Sequence, residues 1–254
     1  MRCYPRRAPL FRSLRAILVC GVLLLFTFNQ PIHHHAKATQ PATIAVTSAA
    51  SYDTNALAPG AIATAFGAAL ATQVSISETL PLPTTLAGTS VSVRDSAGAQ
   101  RLAGLFYVAP TQINFLIPDA TALGAAVITV TAGDGKVSAG TFDIKAVAPA
   151  IFTANADGQG VPAAFALRIK ADGRQIYEAI AQFDAGAGRM LPLPLDLSPA
   201  GDQVFLVLYL SGTARAADPN NDGNRNESVK LLLGGVETTP QFVGPQGWMR
   251  RVSR

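Results

Sequence analysis

The sequence predicts an all-β chain, arranged as two tandem immunoglobulin-like β-sandwich domains of which the second lacks its final strand. Three observations lead to that reading. Helical periodicity is almost absent, while short runs of alternating apolar and polar residues recur between Gly, Pro, Asn and Asp. Roughly a dozen such strands follow one another, at the spacing of sandwiches with Greek-key connections. The halves on either side of Ala146-Val147-Ala148-Pro149-Ala150 also echo each other as a diverged repeat would.

The first element, residues 1–38, reads as a secretory signal peptide. Arg2, Arg6, Arg7, Arg12 and Arg15 precede the apolar run Ala16–Phe28, and a small-x-small cleavage site follows at Ala36-Lys37-Ala38. The run is 13 residues, short of the about 20 that span a bilayer. A retained anchor and a lipoprotein at Cys20 are the alternatives. Val19 before that cysteine, where a small residue belongs, argues against the lipoprotein.

Cleavage would remove Cys3, Cys20, His33, His34 and His35, every cysteine and histidine in the chain. The exported protein then has no Ser-His-Asp or Cys-His constellation, no usual zinc site and no disulfide. Cleavage also reverses the charge. The whole chain is +4; without Lys37 and the five arginines, 14 basic residues face 16 acidic ones, a net −2. A nucleic-acid partner is therefore not expected, nor is a stable membrane span after cleavage. Localisation is expected to be secreted or periplasmic.

The first sandwich is expected over residues 39–147. Thr89–Arg94 alternates, with Val91 and Val93 on one face and Ser90, Ser92 and Arg94 on the other. Phe142 and Ile144 alternate with Asp143 and Lys145. Such strands suit antiparallel sheets with one wet face. Turn signals stand at Ala97-Gly98 and Gly133-Asp134-Gly135. Gln112–Pro118 reads as a strand closed by a proline.

The second sandwich is expected over residues 148–254. Phe165, Leu167 and Ile169 alternate with Ala166, Arg168 and Lys170, which puts the apolar trio on the core face. Val204–Leu210 is apolar at every position and reads as a strand buried on both sides. Turns are expected at Asp157-Gly158 and Asp172-Gly173. The repeat aligns Ala65-Phe66-Gly67-Ala68 with the stretch around Leu208-Tyr209 and Gly212, and Val91-Ser92-Val93 with Val229-Lys230-Leu231. Tyr107-Val108-Ala109-Pro110 aligns with Phe242-Val243-Gly244-Pro245. The counterpart of Gln112–Pro118 should follow Gln246, where Trp248-Met249-Arg250-Arg251-Val252-Ser253-Arg254 stands instead. The reading is a truncated second copy. The alternative is a strand-complementing partner at the edge left open.

Two segments are candidate sites. Gln112 and Asn114 lie two apart on a strand and so share a face, as a ligand-facing amide pair would. The competing reading has both amides capping backbone groups where the strand leaves the sheet, with Ile113 and Phe115 in the core. The second candidate is Asp218-Pro219-Asn220-Asn221-Asp222-Gly223, with oxygen side chains at positions 1, 3 and 5 and glycine at 6, like the first half of a calcium loop. Position 12 is Val229 rather than a bidentate Glu, and Glu227 falls two residues early. Asp218, Asn220, Asp222 and Glu227 are the calcium candidates; a polar surface loop is the plainer reading. No catalytic residues are assigned, and no cofactor other than possible calcium. The acidic residues are scattered at turns such as Asp134, Asp157 and Asp172, where they satisfy local backbone groups. Phe106, Tyr107 and Phe115 could form a sugar platform, although core packing suits them better.

Several stretches together resemble the Solibacter uncharacterized C-terminal domain, a module found at the end of large secreted acidobacterial proteins. They are Ala58-Pro59-Gly60-Ala61-Ile62 with Phe66-Gly67, Leu82–Gly88 leading into Val91-Ser92-Val93, Tyr107–Phe115 with Ile117-Pro118, and Ala148-Pro149-Ala150-Ile151-Phe152-Thr153. The similarity spans about residues 45 to 247, and Pro110-Thr111-Gln112-Ile113-Asn114-Phe115 is its most specific piece. Two departures stand out. Leu210-Ser211-Gly212-Thr213-Ala214-Arg215 replaces a Gly-Thr-Gly-like turn, and the closing Gly-Leu-Asp-Gln-Val-Asn-type strand is absent. The resemblance implies an extracellular location and a β architecture but no reaction. The expected role is a non-catalytic structural or interaction module whose partner is an unknown protein or a cell-surface glycan. A carbohydrate- or surface-binding module, with calcium assisting, is the second reading; a hydrolase using carboxylates is the third.

Overall fold

Alternation of side chains builds the first half. The computed structural model describes residues 42–54 and 57–245; the expected signal peptide, both cysteines, all three histidines and residues 246–254 lie outside them. Eleven strands form up to residue 144: β1 (Ala42–Thr43), β2 (Ala45–Ser48), β3 (Ile62–Phe66), β4 (Ser75–Ile76), β5 (Thr85–Leu86), β6 (Thr89–Arg94), β7 (Gln100–Leu102), β8 (Gly104–Val108), β9 (Gln112–Leu116), β10 (Gly124–Thr131) and β11 (Val137–Ile144). One sheet runs β2-β3-β9-β8-β4; the other runs β1-β11-β10-β6-β5, with β7 also on β6. β1 pairs parallel with β11; the other pairings are antiparallel.

The two sheets share one apolar cluster. Val46, Ala63, Leu105, Ile113 and Phe115 come from the first sheet, and Val91, Val93, Ile128, Val130 and Phe142 from the second. The alternation expected in β6 holds, with Val91 and Val93 buried while Arg94 is exposed. In β11, Phe142 and Ile144 are buried and Asp143 is exposed. Each large apolar side chain removed from water in this way contributes about 1.5–3 kcal/mol. This cluster is the main source of stability in the described chain.

The second half is built differently. Its strands are β12 (Ala150–Ile151), β13 (Ala164–Ile169), β14 (Gln175–Ala179), β15 (Ala181–Asp184), β16 (Arg189–Pro192), β17 (Gln203–Leu208), β18 (Leu210–Ser211), β19 (Leu231–Leu233) and β20 (Val236–Thr238), with a 3₁₀ turn at Asn226–Ser228. They form a three-stranded sheet β14-β13-β17 and the pairs β12–β18, β15–β16 and β19–β20. Residues 203–212 act as one continuous strand. It pairs with β13 through Leu208, the Tyr209 N–H donates to the Ala163 carbonyl, and the Phe152 and Ala148 N–H groups then donate to Tyr209 and Gly212. Residues 148–152 and 163–169 thus form a composite strand interrupted by a loop. Among the described residues of this half the buried apolar ones are mostly alanines, Ala148, Ala150, Ala166 and Ala216, together with Val243.

Two expectations are corrected here. In β13 the buried residues are Ala166 and Arg168, whereas Phe165, Leu167 and Ile169 are only half-buried. Residues 204–210 are not buried on both sides: Leu206 is 37% exposed and the rest are intermediate. The cause is the same in both cases. No second sheet among the described residues packs on this one as the two sheets of the first half pack on each other.

The halves meet near the start of β3. The Ile62 N–H donates to Ser211 Oγ at 2.9 Å, and the Arg215 guanidinium donates to the Asp119 carbonyl. Gly212 lies beside this joint with φ +84°, and a Cβ there would overlap the Ala148 carbonyl oxygen.

Candidate functional site

Gln112 and Asn114 fall on β9, where Ile113 and Phe115 are fully buried and the two amides stay half-buried on the opposite face. Gln112 Nε2 donates to Asn114 Oδ1 at 2.9 Å, and Thr64 Oγ1 on β3 donates to the same oxygen at 3.1 Å. The amides bond each other and a cross-strand hydroxyl rather than capping backbone groups. Phe115, in the core, cannot join a surface sugar platform with Phe106 and Tyr107.

The Asp218 segment forms a self-satisfied polar loop. Asp218 accepts from the N–H groups of Asp222 at 3.2 Å and Gly223 at 3.0 Å, and Asp222 accepts from the Asn224 N–H at 2.8 Å. Asn220 turns its Nδ2, not its carbonyl oxygen, toward Glu227 Oε1 at 2.6 Å. The four calcium candidates therefore lie together in two pairs, each engaged with proton donors. Among the described residues, no group of three or more Asp, Glu, His and Cys is placed to hold a metal. The turn acids behave as expected: Asp134, Asp157 and Asp172 accept from the N–H groups of Lys136, Gln159 and Arg174.

Sequence reasoning missed the densest charge cluster. Arg168 projects from the buried face of β13 with a side chain 6% exposed. Its Nε and Nη2 reach the Glu178 carboxylate at 2.5 and 3.2 Å, and Nη1 reaches the Ser198 carbonyl at 2.8 Å and Asp202 Oδ2 at 3.3 Å. Nη2 also donates to the Asp196 carbonyl. All five donors of the guanidinium are engaged. Lys170 Nζ adds a bond to Asp202 Oδ2 at 2.8 Å. The network ties the segment 194–202 across the sheet, where a core would ordinarily supply packing. Pairing at Arg168↔Ile176 and Ala166↔Glu178 places Glu178 on this face. The signal available was a lone Arg in an apolar-alternating strand with Asp and Glu within reach of its neighbours. Periodicity alone assigned it to solvent.

A cleft of about 480 Å³ opens beside the network, lined by Lys170, Glu178, Leu195 and Pro199 among others. Hydrogen bonding from Arg168 holds the Glu178 carboxyl below its ordinary range, and the ammonium of Lys170 does the same for Asp202. Both are ionised at neutral pH. Glycoside hydrolysis requires one protonated carboxyl beside one ionised carboxylate, so this pair does not provide the acid.

Asp95, also unremarked in the sequence, is a buried tie for the first half. It accepts from the Ala97, Ala99 and Ala122 N–H groups at 3.1, 2.9 and 3.0 Å and from Arg101 Nη1 at 2.7 Å. Those bonds, led by that of Ala122, lower its pKa. Its partners are a turn and a loop, so its work is structural.

The opposite face of the β14-β13-β17 sheet is apolar and aromatic. Leu167 sits between Tyr177 and Phe205, and Phe165 between Ala179 and Val207. The Phe165 ring lies 5.3 Å from that of Tyr177 and 6.1 Å from that of Tyr209. Tyr177 is 63% exposed. No family model matches the chain, and no curated protein matches it either.

Proposed function

We propose that this chain is a secreted or periplasmic, non-catalytic structural or interaction module of the Solibacter type it resembles, built as two tandem immunoglobulin-like sandwiches. The observation that carries the interaction role is the half-exposed face of Phe165, Leu167, Tyr177, Phe205 and Val207, a contiguous apolar surface of the kind that marks binding sites. The tandem arrangement is supported by order. The β12–β18 pair stands where β2–β3 stands in the first half, the β19–β20 hairpin follows as β6–β7 does, and Val243 is buried like Val108. Among the described residues no helix is long and apolar enough to cross a membrane.

The second reading, a carbohydrate- or surface-binding module, is favoured by the ring group of Phe165, Tyr177 and Tyr209, since aromatic faces stack on sugars. Calcium enters only here, through Asp218, Asn220, Asp222 and Glu227; a rise in melting temperature at millimolar calcium supports it, and no shift removes it. A glycan array with the wild type and Tyr177→Ala separates the readings. Reproducible glycan binding that Tyr177→Ala abolishes selects the carbohydrate module, and an array without hits leaves the protein-interaction reading. Release of product from any arrayed glycan would sink both.

A further inference from the structure

The free edge of β17 is the feature the reading above leaves unused. Tyr209 directs its N–H and C=O toward the composite strand. Backbone groups alternate along a strand, so those of Phe205 and Val207 face β13, and those of Val204, Leu206 and Leu208 face the other way. Among the described residues β17 pairs with β13 alone. In the first half the corresponding strand, β3, has neighbours on both edges: β2 on one and β9 on the other, both antiparallel. The edge that β9 occupies on β3 is the one open on β17.

Length, combined with the absence of charge and proline, sets this edge apart from those of the first half. Natural sheets blunt their edges with short strands, charge or proline. β1, β4 and β5 are two residues long, β2 is four, and the edge strand β14 carries Glu178 and follows directly on Arg174. β17 has six residues, Gln203-Val204-Phe205-Leu206-Val207-Leu208, with no charge and no proline. From Val204 onward both of its faces are apolar.

We infer that β17 is the acceptor edge for an extended strand supplied by a partner protein, pairing antiparallel and apolar at alternate positions as β9 is. The inference rests on the interaction-module reading and names its partner class. Main-chain hydrogen bonds to Val204, Leu206 and Leu208 would give affinity, and the alternate apolar side chains would continue the Phe205–Val207 face.

The probe is a synthetic peptide of residues 111–118, Thr-Gln-Ile-Asn-Phe-Leu-Ile-Pro, titrated into the purified protein, with a version carrying proline at the Asn114 position as control. The parent peptide is expected to bind and to slow amide exchange at Leu206 and Leu208; the control is not. Leu206→Pro removes an outward N–H and leaves the ladder to β13 intact, so it should weaken binding roughly tenfold, the scale of one or two lost backbone bonds. Leu206→Lys serves if the proline variant melts early. Equal binding by parent and control peptides, or binding that both variants leave unchanged, overturns the inference. So does a homodimer that protects β17 without peptide, because the occupant is then a second copy. A glycan that binds through Tyr177 while the peptide does not would overturn the strand partner and leave the module reading standing.

Discussion

Phe115→Ala and Tyr177→Ala should differ severalfold in cost, because one ring is sealed between two sheets and the other stands on an uncovered one. Phe115 is fully buried within the apolar cluster. Its truncation loses roughly 2 kcal/mol of transfer free energy. It also leaves a cavity of roughly 100 Å³ which, at about 24 cal/mol per Å³, costs about 2 kcal/mol more. The sum, about 4 kcal/mol, corresponds to a fall in melting temperature of roughly 8–16 °C for a domain of this size. Tyr177 forfeits chiefly its tilted contact with Phe165, about 1 kcal/mol, or roughly 2–4 °C. Differential scanning fluorimetry and urea titration measure both. Equal losses would refute the reasoning, since they would mean that the Tyr177 face is covered in solution. A loss below about 1.5 kcal/mol for Phe115→Ala would show that the two-sheet cluster is not what holds the first half together.

Acid should act on the second half through Glu178 and Asp202. Both carboxyl pKa values are lowered in the fold, so their stabilisation is full above the ordinary carboxylate range of about 4 and fades as pH falls through the depressed folded values. Arg168→Met should move the acid unfolding limb to higher pH in circular dichroism; an unmoved limb means the network contributes nothing. Gly212→Ala combines a positive φ with an overlap at the Ala148 carbonyl and is expected to cost at least about 2 kcal/mol. A neutral result in the same melts would contradict the close approach of β12 and β18. Asn114→Ala leaves the Thr64 hydroxyl, on a residue almost wholly buried, without its acceptor. About 1–2 kcal/mol should be lost, against under about 0.5 for Gln112→Ala. Equal costs would mean that Asn114 carries no such burden.

The first half was legible because its strands bury one face and wet the other. Val91, Val93, Phe142 and Ile144 could be assigned to the core from period-two alternation alone, and the turns at Gly98 and Gly135 from their glycines, both at positive φ. The second half misled for a physical reason. Alternation tells which residues share a face, not which face is covered. Phe165, Leu167 and Ile169 do share one, but the buried face is the one with Ala166 and Arg168, because a polar strap at 194–202 lies there. Val204–Leu210 looked doubly buried since an all-apolar strand usually is; here it is an edge. Gln112 and Asn114 were placed on one face correctly, yet their partner Thr64 lies some 50 positions earlier in the chain, beyond any local pattern. Arg168, Glu178 and Asp202 converge only through strand pairing and a loop return, so the sequence showed three separate charges.

Residue-resolved amide exchange on the protein without partner tests the central claim most directly, that a two-sheet core is joined to a sheet whose long apolar β17 edge has no neighbour among the described residues. The account predicts deep protection at Ile113 and Ile128, intermediate protection at Phe205 and Val207, whose N–H groups face β13, and near-free exchange at Leu206 and Leu208 between and beside them. Protection of Leu206 and Leu208 equal to that of Ile113 would contradict it.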